Sequence, residues 1–102
     1  MNWLYCLVEK IIEQLEKHCC SCFDCRPEKI VTLQGDGSDR KIFRIYYPDV
    51  TYIGVFGPNV RENKAFLSFT QQFIKVSLPV PEIYFRSPDS RYYIETDYGD
   101  VT

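Results

Sequence analysis

Two places in the chain combine residue type and spacing in a way that points to chemistry: the run Gly35-Asp36-Gly37-Ser38, and the cysteines Cys19, Cys20, Cys22 and Cys25. The cysteines form overlapping Cys-x-x-Cys spacings, from Cys19 to Cys22 and from Cys22 to Cys25, and thiolates so placed can share one soft metal ion. Structural zinc sites usually join two such pairs from separated segments. No second segment exists here, so reduced loop thiols are the expectation. The total of five cysteines is odd and clustered, unlike the spaced, even framework of a secreted disulfide scaffold. His18 is the sole histidine and two cysteines follow it. Neither a Ser-His-Asp nor a Cys-His arrangement has a second histidine to draw on, and no complete catalytic constellation is present. Asp36-Gly37, lying between two β-patterned runs, is a strong signal for a short hairpin.

The elements that must position these groups follow from periodicity. Leu4, Leu7, Val8, Ile11, Ile12 and Leu15 recur at helical spacing with charged residues on the other face, which predicts an amphipathic helix over 3–18. The Cys-rich stretch and Arg26-Pro27 then break the pattern. Strands are predicted at Lys29 to Leu33, Lys41 to Tyr47 and Thr51 to Phe56. In the second of these, Ile42, Arg44 and Tyr46 share one face and Phe43, Ile45 and Tyr47 the other. Asn59 is a good N-cap with Glu62 three residues on, as in a capping box, so a second helix starts there and runs to about Lys75. Glu62, Phe66, Phe69 and Phe73 fall on one stripe of that helix, which places the Glu62 carboxylate on the expected buried side, where a charge needs a partner. After the extended Leu78-Pro79-Val80-Pro81 segment come short strands at Glu82 to Phe85 and Tyr92 to Thr96. Short turns between the first three strands favour an antiparallel sheet. The predicted class is α+β, a five-stranded antiparallel sheet with two helices.

Length and composition bound the possibilities. The chain has 102 residues, 45% hydrophobic and 16% aromatic, enough for one packed domain spanning 1–102. Twelve Lys and Arg against fourteen Asp and Glu leave a net charge of -2, so no overall positive field favours nucleic acid as a partner. The apolar stretch from Trp3 to Val8 is too short to span a membrane and lacks a basic leader and cleavage site, so no membrane association and a cytoplasmic location are expected.

Four segments in order sharpen the picture: Leu33 to Arg44 with its Gly-Asp-Gly-Ser run, Arg61 to Phe66, Leu78 to Tyr84, and Ile94 to Asp100. Together they resemble the aminoglycoside phosphotransferase and choline kinase-like family, in particular its bacterial branch of sugar and cell-wall amino-sugar kinases. There a Gly-Asp-x-Ser-x-Arg-x-x-x-Arg loop opens the small lobe, and a Leu-Gly-Asp-like segment follows the hinge. The resemblance runs from about Lys29 to Thr102 and implies a protein-kinase-like small lobe whose large catalytic lobe is absent.

On that resemblance, Gly35, Asp36, Gly37 and Ser38 form the loop over the phosphates of ATP, where missing Cβ atoms let backbone N–H groups approach the anion. Taken alone, the same residues read first as a plain hairpin turn, and the two readings are compatible. A protein-kinase loop carries a third glycine where Arg40 stands, so the loop follows the small-molecule kinase pattern. Arg40 and Arg44 are within reach of a phosphate, or are solvated strand charges. The aminoglycoside type places a lysine on the third strand, yet Thr51 to Phe56 contains none, and Arg44 is the candidate substitute by position. Glu62 is either the helix glutamate of such kinases or a capping residue only. Glu95 to Tyr98, including Asp97, correspond to the hinge that meets the adenine edge.

The implied reaction is transfer of the γ-phosphoryl group from Mg-ATP to a hydroxyl of a sugar, amino sugar or aminoglycoside. The metal ligands and the general base are expected in the missing lobe, and the exposed lobe interface invites self-association. Two other readings stay open: a stand-alone interaction module built on a degenerate kinase lobe, and a Cys-rich metal-binding protein.

Overall fold

The computed structural model describes residues 3–33, 40–75 and 81–99. In chain order the elements are α1 (Trp3–Phe23), β1 (Lys29–Thr32), β2 (Lys41–Tyr46), β3 (Thr51–Phe56), α2 (Val60–Lys75), β4 (Ile83–Arg86) and β5 (Tyr92–Thr96). The strands form one sheet in the order β1-β2-β3-β5-β4, with every neighbouring pair antiparallel. The α+β class and the five-stranded antiparallel sheet with two helices are as the sequence predicts. The glycine run at 35–38 and the Leu78 to Val80 segment lie outside the described residues.

Alternation along β2 sets which side chain faces which helix. Phe43, Ile45 and the following Tyr47 are buried beneath α1, packed with Ile11, Leu15 and Cys19 of that helix. Gly54 on β3 lies on the same face, and a Cβ there would sit 2.9 Å from Ile45 Cδ1 and 3.2 Å from Leu15 Cδ2, so the missing side chain lets α1 approach the sheet. The opposite face carries α2. Val55, Tyr93, Ile53 and Ile83 of the sheet pack there against Leu67 and Phe66.

Helix α1 runs five residues beyond the expected end at 18, through Phe23. Cysteine is a small, weakly polar residue that a helix tolerates, and Cys19 continues the apolar stripe four residues after Leu15, fully buried. The expected loop cysteines 19, 20 and 22 are therefore helical, and Asp24, with φ of 61°, marks the end of the helix. Helix α2 begins as expected: the Asn59 Oδ1 accepts the Glu62 backbone N–H at 3.0 Å.

The buried stripe of α2 differs from the expected one. Asn63, Leu67 and Thr70 are buried, whereas Glu62 has 64% of its side-chain surface exposed and Phe69 is 53% exposed. The helix is rotated by about one residue relative to the predicted face, and the side chain of Phe73 lies outside the described ones. Two polar residues can occupy the buried side because the backbone satisfies them. The Asn63 amide donates to Gly57 O at 2.7 Å and Ser90 O at 2.8 Å, and the Thr70 hydroxyl donates to Phe66 O at 2.9 Å.

Candidate functional site

The strand registers assemble a row of side chains on the α2 side of the sheet. Val31 pairs with Arg44, Arg44 with Ile53, Ile53 with Glu95, and Glu95 with Ile83. Arg40, Ile42 and Arg44 alternate onto this same face, so both arginines singled out in the sequence look toward one surface.

Arg44 is held by the segment after β5. Its Nε donates to Asp97 Oδ2 at 2.9 Å and its Nη2 to Oδ1 at 3.5 Å, with 15% of the arginine side chain and 2% of the aspartate side chain exposed. The Thr51 hydroxyl donates to Asp97 Oδ2 at 2.6 Å and the Gly99 N–H to Oδ1 at 2.7 Å. Burial alone pushes the Asp97 carboxyl up, but these donors and the Arg44 charge outweigh it and hold the group below the usual carboxylate range. Asp97 thus ties the segment after β5 to β2 and β3. Glu95 and Thr96 belong to β5 itself, so the segment that leaves the sheet begins at Asp97, with Tyr98 exposed.

Arg40 sits at the other end of β2, directly after residues 34–39. Its Nη2 donates to Glu62 Oε1 at 3.2 Å and contacts Asn63 Oδ1 at 3.5 Å, both on the first turn of α2. The Glu62 side chain does not lie on a buried stripe as the sequence implies; it reaches along the helix surface to this guanidinium.

Glu95 stands in this row between Ile53 and Ile83. Its Oε2 is buried with no hydrogen-bond partner among the described residues. Burial pushes its pKa up to about 7, although the Arg40 charge pulls the other way.

The cysteines and His18 lie on the opposite side, around α1. Burial drives the Cys19 thiol up to about 12, against a lowering hydrogen bond with Tyr47, which makes it a packing residue with little thiolate character. Cys20 and Cys25 are exposed, and Cys22 Sγ contacts Tyr84 O at 3.4 Å. All four are free thiols. The His18 ring stacks on Phe85 with centroids 4.7 Å apart and lies 5.1 Å from Tyr92, and burial lowers its pKa while Asp89 raises it. No group of three or more His, Cys, Asp or Glu able to hold a metal ion occurs among the described residues.

Of the predicted site residues, the structure brings Arg40 together with Glu62 and Arg44 together with Asp97. It sets Glu95 on the same face, between Ile53 and Ile83, and leaves Tyr98 at the surface. Two participants were not read from the sequence, Asn63 and Thr51. The signal for Asn63 was the adjacent Asn59 cap: a residue four positions after an N-cap faces back along the helix toward the connection before it, here Gly57, where a Cβ would lie 2.5 Å from Asn63 Oδ1. Among the described residues, no helix is long and apolar enough to cross a membrane. Set against models of known protein families and against curated proteins, the chain gives no match.

Proposed function

We propose that the chain is the nucleotide-binding lobe of an ATP-dependent phosphotransferase, protein-kinase-like in fold, acting with a large lobe on a sugar, amino-sugar or aminoglycoside hydroxyl. The observation that carries this reading is a convergence along one strand. On one face of β2, Arg40 beside the glycine run meets the helix glutamate Glu62, and Arg44 meets Asp97 of the segment after the last strand. Three of the four segments that resemble a kinase small lobe are therefore in contact through a single strand.

A guanidinium, that of Arg40, follows the glycine run closely in sequence and is of the charge an anionic ligand needs. The described residues supply no cluster for Mg, whose ligands this reading assigns to the other lobe. When bound, Mg-ATP supplies the transferable phosphoryl group, and this chain's residues bind and orient the nucleotide.

The test is an NMR titration of the chain with ATP. Half a cleft desolvates its ligand poorly, so the expected affinity is millimolar, on the order of 4 kcal/mol. Amide shifts should concentrate at residues 33–40 and 95–99 and weaken when Gly37→Val adds a branched side chain to the loop. Shifts absent there, or equally large in Gly37→Val, would remove the reading. No phosphotransfer is expected from the chain alone.

A further inference from the structure

We propose that Arg44 is a positioning residue for the base of the nucleotide: through Asp97 it fixes the segment 97–99 against the sheet, and it is not a ligand of the phosphates. The proposal rests on the nucleotide-binding reading above, which sets the base beside residues 95–99.

The chain that leaves β5 is gripped from both sides. On the β4 side, the Thr96 N–H donates to Glu82 O at 3.0 Å, and the Thr96 hydroxyl oxygen accepts the Glu82 N–H at 2.9 Å. On the β3 side, the Asp97 carboxylate takes donors from three parts of the fold: Arg44 Nε of β2 at 2.9 Å, the Thr51 hydroxyl of β3 at 2.6 Å and the Gly99 N–H of its own turn at 2.7 Å. That last bond closes a tight turn over Tyr98, and Gly99 completes it at a φ of 75°, a region that glycine enters without strain. Of the three donors, Arg44 alone carries a charge, and it alone comes from a strand that does not neighbour β5. It reaches across β3 to hold the segment. Without it, Asp97 would be held only by its nearest neighbours.

The same bond takes Arg44 out of use as a phosphate ligand. Asp97 has 2% of its side chain exposed and Arg44 15%, so drawing the guanidinium away would strand a carboxylate charge in a poorly solvated place. The strand register also gives Arg44 apolar flanks, Val31 on one side and Ile53 on the other. With the guanidinium compensated by Asp97, the row Val31, Arg44, Ile53 offers a neutral, largely apolar surface, which suits the flat ring of a base and not a polyanion. Arg44 therefore acts on the base at one remove, by keeping the backbone of 97–99 in its binding position before the ligand arrives.

The experiment titrates adenosine, ATP and inorganic tripolyphosphate into the wild-type chain, Arg44→Met, Thr51→Val, and the double change Arg44→Met with Asp97→Asn. Backbone amide shifts are followed by NMR, together with hydrogen exchange of the Gly99 amide before any ligand is added. The double change removes both buried charges at once, so it tests the tether even where Arg44→Met alone fails to fold. Arg44→Met and the double change should weaken adenosine and ATP by the same severalfold factor, leave tripolyphosphate unchanged and speed Gly99 exchange. Thr51→Val should do the same to a lesser degree. If ATP and tripolyphosphate weaken while adenosine holds, Arg44 is a phosphate ligand, and the positioning role falls while the nucleotide reading survives. If all three probes weaken together, Arg44 is structural only; if none changes, it has no part in binding. Either result overturns the proposal and leaves the nucleotide reading in place. Should adenosine and ATP leave residues 95–99 of the wild-type chain undisturbed, the nucleotide reading falls and the proposal falls with it.

Discussion

Glu95 keeps one carboxylate oxygen away from water and from any donor among the described residues, and this has a defined pH signature. Its pKa in the folded chain is about 7 against an ordinary 4.5, so folding favours the protonated form. Below pH 4.5 both states hold the proton. Between 4.5 and 7 the unfolded chain releases it first, and stability falls as pH rises; above 7 it levels off at the lower value. Glu95→Gln cannot ionise, so urea denaturation should show it gaining on the order of 2 kcal/mol over wild type at pH 8 and little at pH 4. Asp97 has the opposite sign. Its depressed pKa contributes stability above the ordinary carboxylate range, lost as pH falls through the folded value, so Asp97→Asn should remove the acid-side loss of stability below about pH 4. Asn63 is a third sensitive residue. Replacing it with Ala leaves the Gly57 and Ser90 carbonyls without their donors, and chemical denaturation should register a loss of about 2–4 kcal/mol.

At the scale of elements, α1 and the sheet meet closely because Gly54 has no side chain. Gly54→Ala would bring a Cβ to 2.9 Å from Ile45 Cδ1 and 3.2 Å from Leu15 Cδ2, and the overpacking should lower stability by about 1–3 kcal/mol in a thermal or urea melt. The cysteines report on the same helix. In a brief alkylation read by mass spectrometry, Cys20 and Cys25 should react quickly, while Cys19, fully buried and with little thiolate, should react only as the domain unfolds. These elements were unevenly legible in the sequence. The alternation of β2 sorted Phe43, Ile45 and Tyr47 from Ile42, Arg44 and Tyr46 because a period of two admits a single alternative face. Helix α2 was misread by one residue because Phe66 belongs to both the Glu62-Phe66-Phe69 stripe and the Asn63-Leu67-Thr70 face beside it. Asn63 and Thr70 are polar, and they occupy the buried face because backbone carbonyls accept their donors. The end of α1 was misread because cysteine carries little propensity either way, and burial beneath Tyr47 and Ile45 decided its state. The pairings Arg40 with Glu62 and Arg44 with Asp97 span 22 and 53 residues of sequence, and no local rule connects positions so far apart.

For the molecule as a whole, the sheet is covered by one helix on each face but leaves several large side chains at the surface. Phe69 is 53% exposed, Tyr84 40% and Tyr98 58%, on α2, on the edge strand β4 and after β5. Exposed aromatics beside an edge strand favour association, so sedimentation velocity should show a weight-average mass rising with concentration; a clean monomer at high concentration would count against this. The way the chain leaves the sheet also has mechanical meaning. Strand β5 lies inside the sheet, between β3 and β4, and the residue that follows it is anchored sideways to Arg44 of β2 and Thr51 of β3. A pull applied at Gly99 therefore does not reach β5 as a peeling force at a free end. It is shared at once among three neighbouring strands, β5, β3 and β2.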